Sequence, residues 1–428
     1  MARPHPSRRI LMIAYHFPPL TGSSGIQRTL QFVRHLPEFG WEPIVLTVHP
    51  RAYPNTNPDL LRDIPAHVPV IRAQAFDSAR HFALAGRYPA CLARPDRWIS
   101  WLPAALHRGR QLIRTYRPRI IWSTYPIATA HAIGYRLHRA SGLPWIADFR
   151  DPMAHEGYPE DPATWAAFKR IEEQVFSAAA GVSFTTPGAL DFYRDRYPRY
   201  PGESFKLIEN GYAEENFAGL DEQAAAKGPL HPGRITLLHS GIVYRNERDP
   251  THLFQALQTL RQQDLLHPDR FILRLRAHHN GDHLRTLIDR YQLQPLVELA
   301  PPLPYREALE EMLRADGLLI LQAANCNQQI PAKLYEYLRA RRPLLGLTDP
   351  AGDTARTLKD MGYRHLAPLD QPEQIAPTLL TLLKDMDAGL PPGPDSEVIR
   401  RYSRRQLTRT LASWLDNLSE PPETLPPP

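Results

Sequence analysis

The feature that most constrains this chain is an alternation of short apolar runs with stretches of helical periodicity. In the first half, the pattern predicts strands at Ile10–Tyr15, Pro43–Val48, Ile120–Thr124, Pro144–Phe149 and Gly181–Thr186, and helices at Ile26–Gly40, Ile127–Ser141 and about Pro162–Ala180. The segment between the second and third strands reads as a long irregular insertion. The strands are almost continuously apolar, as expected when helices cover both faces of a sheet. The alternation therefore favours a parallel α/β sheet.

The same alternation restarts after a polar, Ala-rich segment. The second round predicts strands at Ile235–Gly241, Phe271–Ala277, Val297–Ala300, Gly317–Ala323 and Pro343–Thr348, and helices at 250–263, Gly281–Tyr291, Tyr305–Arg314 and Pro331–Ala340. We therefore expect two Rossmann-like domains that face a cleft, with ligands at the carboxyl ends of the strands. The predicted boundaries are 1–213 for the first domain, 214–233 for a linker, 234–394 for the second domain, 395–418 for a C-terminal helix and 419–428 for a disordered tail.

The C-terminal helix carries an apolar stripe at helical spacing, which needs a partner surface. The stripe consists of Leu407, Leu411, Trp414, Leu415 and Leu418. We expect it to return to the first domain.

Cysteine content and hydropathy indicate the compartment. The chain has two cysteines, Cys91 and Cys326, far apart in sequence, so no disulfide framework or zinc pattern is present. No stretch reaches 18 consecutive apolar residues, and the apolar run near the N-terminus is too short for a signal peptide. We expect a cytoplasmic protein whose contact with a membrane, if any, is peripheral.

Charge is distributed unevenly. Residues 1–150 contain 20 Arg, no Lys and 7 Asp or Glu, a balance of +13, whereas the remainder carries 31 basic and 38 acidic residues. An anionic partner for the first domain is one interpretation, and an arginine-favouring base composition is the other. The stretch from His81 to Arg119 interleaves arginines with Phe82, Leu84, Leu92, Trp98 and Trp101. Either this stretch docks on an anionic membrane, or its tryptophans are buried and its arginines are ordinary surface.

Two loops of the first domain follow strands. In the first, Gly22, Ser23, Ser24 and Gly25 open the first helix, where free backbone N–H groups favour an anionic or hydroxylated ligand. The second follows Asp148 and contains Arg150 and Asp151 at the end of a buried strand. Charges in this position are costly unless they are paired or used, so an ion pair of Arg150 with Asp151 or Asp148 that holds the loop is the alternative to a functional role.

The second domain offers two further sets of residues. Arg245 and Arg248 follow its first strand and could clamp a diphosphate through bidentate hydrogen bonds, or could be solvated loop residues. The most informative segment runs from Asn325 to Leu338. Within it, Lys333 lies in the first turn of a helix, which is unfavourable for a cation without a bound anion. One turn later, Glu336 can accept hydrogen bonds from ribose hydroxyls.

These segments resemble the retaining glycosyltransferases of family four, which have the GT-B fold. The resemblance is carried by Ile10–Gly25, Trp145–Pro152 with its Asp-Phe-Arg-Asp-Pro motif, Asn210-Gly211, His239–Pro250 and Pro331–Pro343. In this family two glutamates are separated by seven residues, and the second binds the donor ribose. Glu336 matches the second position, whereas Gln328 stands at the first and cannot carry its charge.

The resemblance implies transfer of a sugar from a UDP- or GDP-type donor to a glycan or lipid-linked acceptor, with retention of configuration, in surface polysaccharide or glycoconjugate synthesis. It implies that the first domain binds the acceptor and the second binds the donor. Asn325, Gln328, Lys333, Glu336, Arg245 and Arg248 are the expected donor-binding residues. By position only, Arg150 and Asp151 are the expected catalytic residues. No metal ion and no other cofactor is expected.

Two alternatives keep the same fold. A sugar-nucleotide epimerase would need acid and base carboxylates around the donor sugar, and Gln328 argues mildly against it. A non-catalytic scaffold would explain the missing glutamate, but Lys333, Glu336 and the two arginines favour a working donor site. Nucleic-acid binding is not expected, because no recognition motif accompanies the basic first half.

Overall fold

A computed structural model describes residues 8–22, 25–84, 87–390 and 393–419. The chain forms two compact units. Unit 1 contains the described residues up to Asn210 together with those from Arg404 onward, and unit 2 spans Gly211–Ser403.

Unit 1 is built on a seven-stranded sheet in which all neighbouring strands are parallel, in the order β3-β2-β1-β4-β5-β6-β7. The strands are β1 Arg8–Ile13, β2 Trp41–Val48, β3 Val70–Ala73, β4 Ile120–Thr124, β5 Trp145–Arg150, β6 Gly181–Phe184 and β7 Phe205–Leu207. Strands β4, β5 and β6 are buried along their whole length, which explains their largely apolar sequences, and the polar exceptions include Asp148 and Arg150 of β5.

Helices pack on both faces of this sheet. They are α1 Gly25–His35, α2 Ser78–His81, α3 Trp101–Tyr116, α4 Ala128–Ser141, α5 Pro162–Ala178, α6 Pro187–Arg196 and, from the C-terminus, α15 Arg404–Ser419. Helices α5 and α6 begin at Asp161 and Thr186, whose side chains accept hydrogen bonds from backbone N–H groups of the first turn, with proline next in the chain. Thus the sequence encodes both starting points locally.

The C-terminal helix does return to unit 1. Leu411 and Leu415 are completely buried, and they belong to the same apolar cluster as Ile10 of β1 and Trp122 of β4. Trp414 packs so closely on Gly181 that a side chain at this glycine would collide with the indole ring. The prediction for the apolar stripe is confirmed.

Unit 2 contains a six-stranded parallel sheet in the order β10-β9-β8-β11-β12-β13. The strands are β8 Ile235–Ser240, β9 Phe271–Arg276, β10 Val297–Ala300, β11 Gly317–Gln322, β12 Leu344–Thr348 and β13 Leu366–Ala367. The helices are α7 Leu220–Lys227, α8 Thr251–Gln262, α9 Gly281–Arg290, α10 Tyr305–Arg314, α11 Lys333–Ala340, α12 Asp353–Asp360, α13 Pro372–Asp387 and α14 Ser396–Arg400.

Two sequence-based expectations need correction. The segment 214–233 is not a bare linker, because it forms α7 and buries Phe217, Leu220 and Ala224 in the core of unit 2. Its polar composition reflects the exposed side of a short helix. The supposed irregular insertion of unit 1 contains β3 and the 16-residue helix α3, whose arginines obscured the apolar positions Trp101, Ala105 and Leu112.

The tryptophans of the basic stretch are also not interfacial. Trp101 is completely buried, and the indole of Trp98 donates a hydrogen bond to the carbonyl oxygen of Ala52 at 3.2 Å. By contrast, Phe82, Leu84 and Leu92 are exposed by 41%, 85% and 38%. Burying the Trp101 ring removes a large apolar area from water, which stabilises the core of unit 1.

Candidate functional site

The strand order of unit 2 marks the place where a ligand is expected. The sheet grows in one direction from β8 through β9 to β10 and in the other direction from β11 to β13. Open α/β sheets bind ligands at the carboxyl ends of the strands at such a reversal. The loops after β8 and β11 meet here, and two hydrogen bonds join them: Ala323 N–H to Glu247 O at 2.7 Å and Asn325 Nδ2 to Asn246 O at 3.0 Å.

Lys333 occupies the centre of this region. It is the first residue of α11, and its Nζ lies 3.1 Å from Nε2 of the buried His239, the penultimate residue of β8. Gly241 makes room for it: φ is 125°, and a Cβ atom there would lie 2.7 Å from Nζ. Burial and the nearby Arg248 guanidinium, opposed by the Glu336 carboxylate, lower the pKa of Lys333 to about 7.

Glu336 lies one turn further along α11. Its Oε1 accepts a hydrogen bond of 2.6 Å from the hydroxyl of Tyr305 on α10. Tyr305 is half exposed, so the pair lies at the surface of unit 2. The sequence analysis identified Glu336 but missed Tyr305, because it lies 31 residues away and only the packing of α10 against α11 brings it close.

The remaining predicted donor residues have different surroundings. Arg248 donates a hydrogen bond to the carbonyl oxygen of Ile242 at 3.0 Å and lies over the ring of Tyr244. Gln328 is exposed in the loop before α11. The side-chain amide nitrogen of Asn325 donates to the backbone carbonyl oxygen of Asn246, so Asn325 joins the two loops.

Arg245 lines a separate cavity of about 510 Å³. The other walls follow β11, β12 and β13 and include Gln322, Asp349 and Asp370. The sequence analysis treated Arg245 and Arg248 as one clamp, whereas the structure places Arg245 in a partly acidic environment and Arg248 beside Lys333.

A cavity of about 610 Å³ lies at the carboxyl ends of β9 and β10 and was not predicted. Its walls include Ile242, His278, His279 and Pro301. Behind it, the buried Arg276 donates hydrogen bonds to the carboxylate of Glu311 on α10 and to the carbonyl oxygen of Pro301. This arrangement holds the loop after β10 in place. A motif search could not find the cavity, since its residues share no spacing.

Unit 1 has its own reversal, between β1 and β4. The loop after β1 leads to Gly25, the first residue of α1. A side chain at Gly25 would clash with the Arg150 guanidinium and lie 2.8 Å from His16 Nδ1, so close approach requires glycine here. Gly22, at φ 80°, is in the left-handed region that favours glycine. Ser23 and Ser24 lie outside the described residues.

Asp148 has a structural role. Its carboxylate is fully buried and accepts two hydrogen bonds from Arg28, at 2.8 and 3.0 Å, and one each from Thr124 and Ser183, both at 2.8 Å. Burial opposes the charged form, but Arg28 and the hydroxyl donors overcome this and hold the pKa of Asp148 below its usual range. The sequence analysis considered a pair of Arg150 with Asp148 or Asp151; among the described residues Asp148 pairs instead with Arg28 on α1.

Arg150 and Asp151 remain available for function. Arg150 lies at the irregularity where β5 shifts register against β6, with φ 63°, and its Nη1 donates to the carbonyl oxygen of Tyr125 at 3.3 Å. Burial raises the pKa of Asp151, although Arg150 and Arg28 oppose the rise. The Asp151 carboxylate accepts no hydrogen bond from any residue that the structure describes. A carboxylate of this kind is suited to taking up a proton.

His16 was not predicted. It lies in the loop after β1, beside Arg150. Burial, together with the Arg150 guanidinium, lowers the pKa of its imidazole to about 3. His16 is therefore neutral at physiological pH.

Other observations bear on metals and membranes. Across the described ranges, no group of three His, Cys, Asp or Glu side chains is arranged to hold a metal ion. No helix within the described residues has the length and apolar character needed to cross a bilayer.

Residues 24–211 match the protein family described as glycosyl transferase 4-like domain. No curated protein sequence matches the chain. The match covers unit 1 from α1 through β7, without β1 and α15, and includes Gly25, Arg150 and Asp151.

Solved structures share the fold of the entire chain at low identity. Sucrose-phosphate synthase from Thermosynechococcus elongatus superposes with a TM-score of 0.69 and 15% identity, covering 96% of this chain and 99% of that chain. HepE from Anabaena, in complex with UDP, has a TM-score of 0.65 and 12% identity, with 96% and 100% covered. The trehalose 6-phosphate synthase from Burkholderia multivorans has a TM-score of 0.63 and 12% identity, with 96% and 99% covered.

The two parallel sheets and these neighbours establish the two-domain GT-B fold. Together with the family match in unit 1, they support a nucleotide-sugar glycosyltransferase.

Proposed function

We propose that the protein transfers a hexosyl group from a UDP- or GDP-type sugar donor to a hydroxyl group of a glycan or lipid-linked saccharide, with retention of configuration. The observation that carries this proposal is the cationic site at the strand reversal of unit 2, where Lys333 and Arg248 lie beside the first turn of α11. Helix N-termini and fixed cations stabilise phosphate oxygens.

In this proposal, the diphosphate of the donor lies against Lys333 and Arg248, and the ribose hydroxyls donate to Glu336. The bond between the anomeric carbon and the β-phosphate oxygen breaks, and the diphosphate leaves with the additional negative charge. Because Lys333 and Arg248 are fixed before the reaction, they stabilise that charge without reorganisation. The base would occupy the cavity that contains His278 and Pro301, and the UDP complex of HepE supports a uridine or similar nucleotide.

Retention is proposed without a covalent sugar intermediate on Gln328, because an amide does not ionise to a nucleophilic carboxylate. The acceptor hydroxyl would instead attack on the face from which the diphosphate leaves. Asp151, with Arg150 beside it, is the proposed group of unit 1 that takes up or orients the acceptor proton. No metal step is included, since the cations of unit 2 can neutralise the diphosphate.

The test is an incubation with UDP- and GDP-sugars, with and without saccharide and lipid-linked acceptors, while nucleoside diphosphate release and the anomeric configuration of the product are measured. We expect release that depends on the acceptor and a product with the anomeric configuration of the donor. Conversion of a nucleotide sugar into its epimer without acceptor would instead favour the epimerase. Absence of nucleotide binding would favour a scaffold.

We also propose that the enzyme works peripherally at an anionic membrane on the cytoplasmic side. Residues 97–147 contain eight arginines and no aspartate or glutamate. Next to this segment, Leu84 exposes 85% of its surface, and Phe82 and Leu92 are also exposed. Exposed apolar side chains near arginines are typical of shallow interfacial attachment.

A groove between α4 and α5 extends this surface. It has a volume of about 470 Å³ and combines an apolar floor, including Ile99 and Ile171, with Arg94, Arg136 and Arg170. Arg94 is paired with Asp161 at 3.5 Å, so Arg136 and Arg170 are the arginines proposed to attract lipid phosphates.

Co-sedimentation with vesicles tests the membrane proposal. We expect binding to vesicles that contain phosphatidylglycerol, weakened by salt, and little binding to pure phosphatidylcholine vesicles. Leu84→Asp should reduce binding, whereas Leu265→Asp, at a site in unit 2 that is 51% exposed, should not. Equal binding of both variants and the parent protein would contradict the proposed attachment segment.

A further inference from the structure

The hydrogen bonds of His239 determine which atom donates in its contact with Lys333. His239 is fully buried, and its Nδ1 lies 2.9 Å from the carbonyl oxygen of Leu319 on β11. A carbonyl oxygen can only accept, so Nδ1 carries the proton and the lone pair is on Nε2. Nε2 therefore accepts from Lys333 Nζ across their 3.1 Å separation.

Gly241 is part of the same arrangement. A Cβ atom at residue 241 would lie only 2.7 Å from Nζ of Lys333. Any amino acid other than glycine would therefore displace the amine. The strand end thus supplies both a hydrogen-bond acceptor and the space for the lysine. A buried histidine that only packs in the core would not require a glycine at position 241 to leave room for a lysine.

Charged groups of opposite sign act on Lys333 from two elements. From the loop after β8, Arg248 repels the lysine, and from α11, Glu336 attracts it. Tyr305 of α10 donates to Glu336, and Tyr337 of α11 accepts from the backbone N–H of Ser240. Leu319 of β11 engages the far side of His239. Glu336 is thus the one carboxylate among these groups, and a hydroxyl already uses part of its accepting capacity.

We propose that Lys333 and His239 act as a proton-coupled clamp for the diphosphate: His239 positions the amine over Gly241, and Lys333 takes up a proton when the anion binds. This inference rests on the proposed donor site and adds to it a positioning residue and a proton. The step balances as a neutral amine plus one proton from solvent giving an ammonium group, and no covalent bond of the donor changes.

The electrostatics agree with the geometry. Since the pKa of Lys333 is lowered to about 7, part of the free protein carries the neutral amine at neutral pH. A bound diphosphate favours the ammonium form, because an opposite charge at close range stabilises the charged state. The pKa of His239 is held well below its usual range by burial and by Lys333, so the imidazole remains the neutral acceptor throughout.

The experiment is calorimetric titration of the full chain with UDP, and with GDP as a second probe, in HEPES and in Tris, which differ in ionisation enthalpy. At a pH about one unit above 7, we expect uptake of up to one proton per bound nucleotide. Between the pKa of free and bound Lys333, affinity should fall by about tenfold per pH unit as pH rises. Lys333→Arg, which stays charged, should bind with no proton uptake and a flat pH profile in this range.

His239→Leu removes the acceptor and should weaken UDP binding and flatten its pH dependence, and His239→Gln should partly restore both. His267→Gln is the matched control, because His267 is half exposed and precedes β9, away from the strand ends of the site. Thermal melts identify any variant that fails to fold.

Two results would overturn the inference while leaving the proposed transferase intact: binding of UDP without proton uptake, or a folded His239→Leu variant with the pH profile of the parent. Failure of the parent protein to bind either nucleotide would instead contradict the donor site itself. Sugar transfer is measured separately, so loss of the clamp and loss of catalysis are distinguishable.

Discussion

The two strand reversals use charge in opposite ways. In unit 1, the charge at the sheet edge is largely satisfied internally, because Arg28 forms a bidentate pair with Asp148 and both side chains are at most 1% exposed. In unit 2, the Lys333 amine and the Arg248 guanidinium lie close together, and the Glu336 carboxylate is the opposing charge. A buried ion pair stabilises the fold, whereas neighbouring cationic groups can bind an anion. This difference favours unit 2 for the proposed diphosphate site, although both units have the same sheet plan.

The largest expected effect concerns Asp151, whose carboxylate accepts no hydrogen bond within the described part of unit 1. Asp151→Asn should lower kcat by roughly 10²–10⁴-fold, the range typical of a lost general acid or base, with little change in UDP affinity. Since the pKa of Asp151 is raised, activity of the parent protein should decline as pH falls through a value above the usual carboxyl range. Steady-state kinetics against pH measure both. Asp191→Asn on the exposed side of α6 is the control, and a variant with normal kcat would remove Asp151 from the mechanism.

Breaking the internal pair should affect folding rather than binding. Arg28→Ala leaves Asp148 buried without its cation and should reduce the free energy of unfolding by about 3–5 kcal/mol. Arg9→Ala, which disrupts an exposed pair with Glu42, should cost at most about 1 kcal/mol. Chemical denaturation of both variants measures the contrast. Similar free energies of unfolding for the two variants would mean that the Arg28–Asp148 pair does not stabilise unit 1.

The C-terminal helix tests whether unit 1 depends on chain that follows unit 2. Leu411→Ala should destabilise unit 1 by about 2–5 kcal/mol, because Leu411 is completely buried among residues of β1 and β4. Leu61→Ala, at a position 44% exposed, is the matched control. The readout is the melting of unit 1, and unchanged melting would show that the helix contributes little despite its burial.

In unit 2, the comparison predicts a loss of binding rather than of stability. Glu336→Ala should weaken nucleotide affinity by about 1.5–3 kcal/mol, the range for a hydrogen bond to a charged group. Tyr305→Phe, which removes only the hydroxyl that orients Glu336, should have a smaller effect in the same direction. Calorimetry with UDP measures both, with Glu307→Ala on the exposed surface of α10 as the control. Parent-like affinity in folded Glu336→Ala would exclude Glu336 from the ribose site.

The smallest expected effect is that of a chelator. If Lys333 and Arg248 neutralise the diphosphate, activity should be unchanged in EDTA and unaffected by added magnesium or manganese. The assay is nucleoside diphosphate release under both conditions. Loss of activity in EDTA that manganese restores would show that the cations of unit 2 are insufficient.

Much of the fold was readable from the sequence because periodicity is local. The buried strands β4, β5, β8 and β11 are predominantly apolar, and α5 and α6 are preceded by their own capping residues, Asp161 and Thr186. The apolar stripe from Leu407 to Leu418 predicted a buried helix face whose partner is not nearby in the sequence. That face is buried in unit 1. Helix α3 was not predicted, because its arginines and the two small residues on its buried face, Ala105 and Gly109, weaken the apolar pattern.

For the site, the sequence by itself determined which residues follow strands and open helices, including Lys333, Glu336, Arg248, Arg150 and Asp151. Only the tertiary structure decided their partners. Arg28 reaches Asp148 across 120 residues, and Lys333 reaches His239 across 94. Such contacts depend on sheet order and on the space left by a glycine, and a one-dimensional pattern contains neither. The physical reason is that secondary structure depends on neighbours in the chain, whereas charge pairing and pKa depend on neighbours in space.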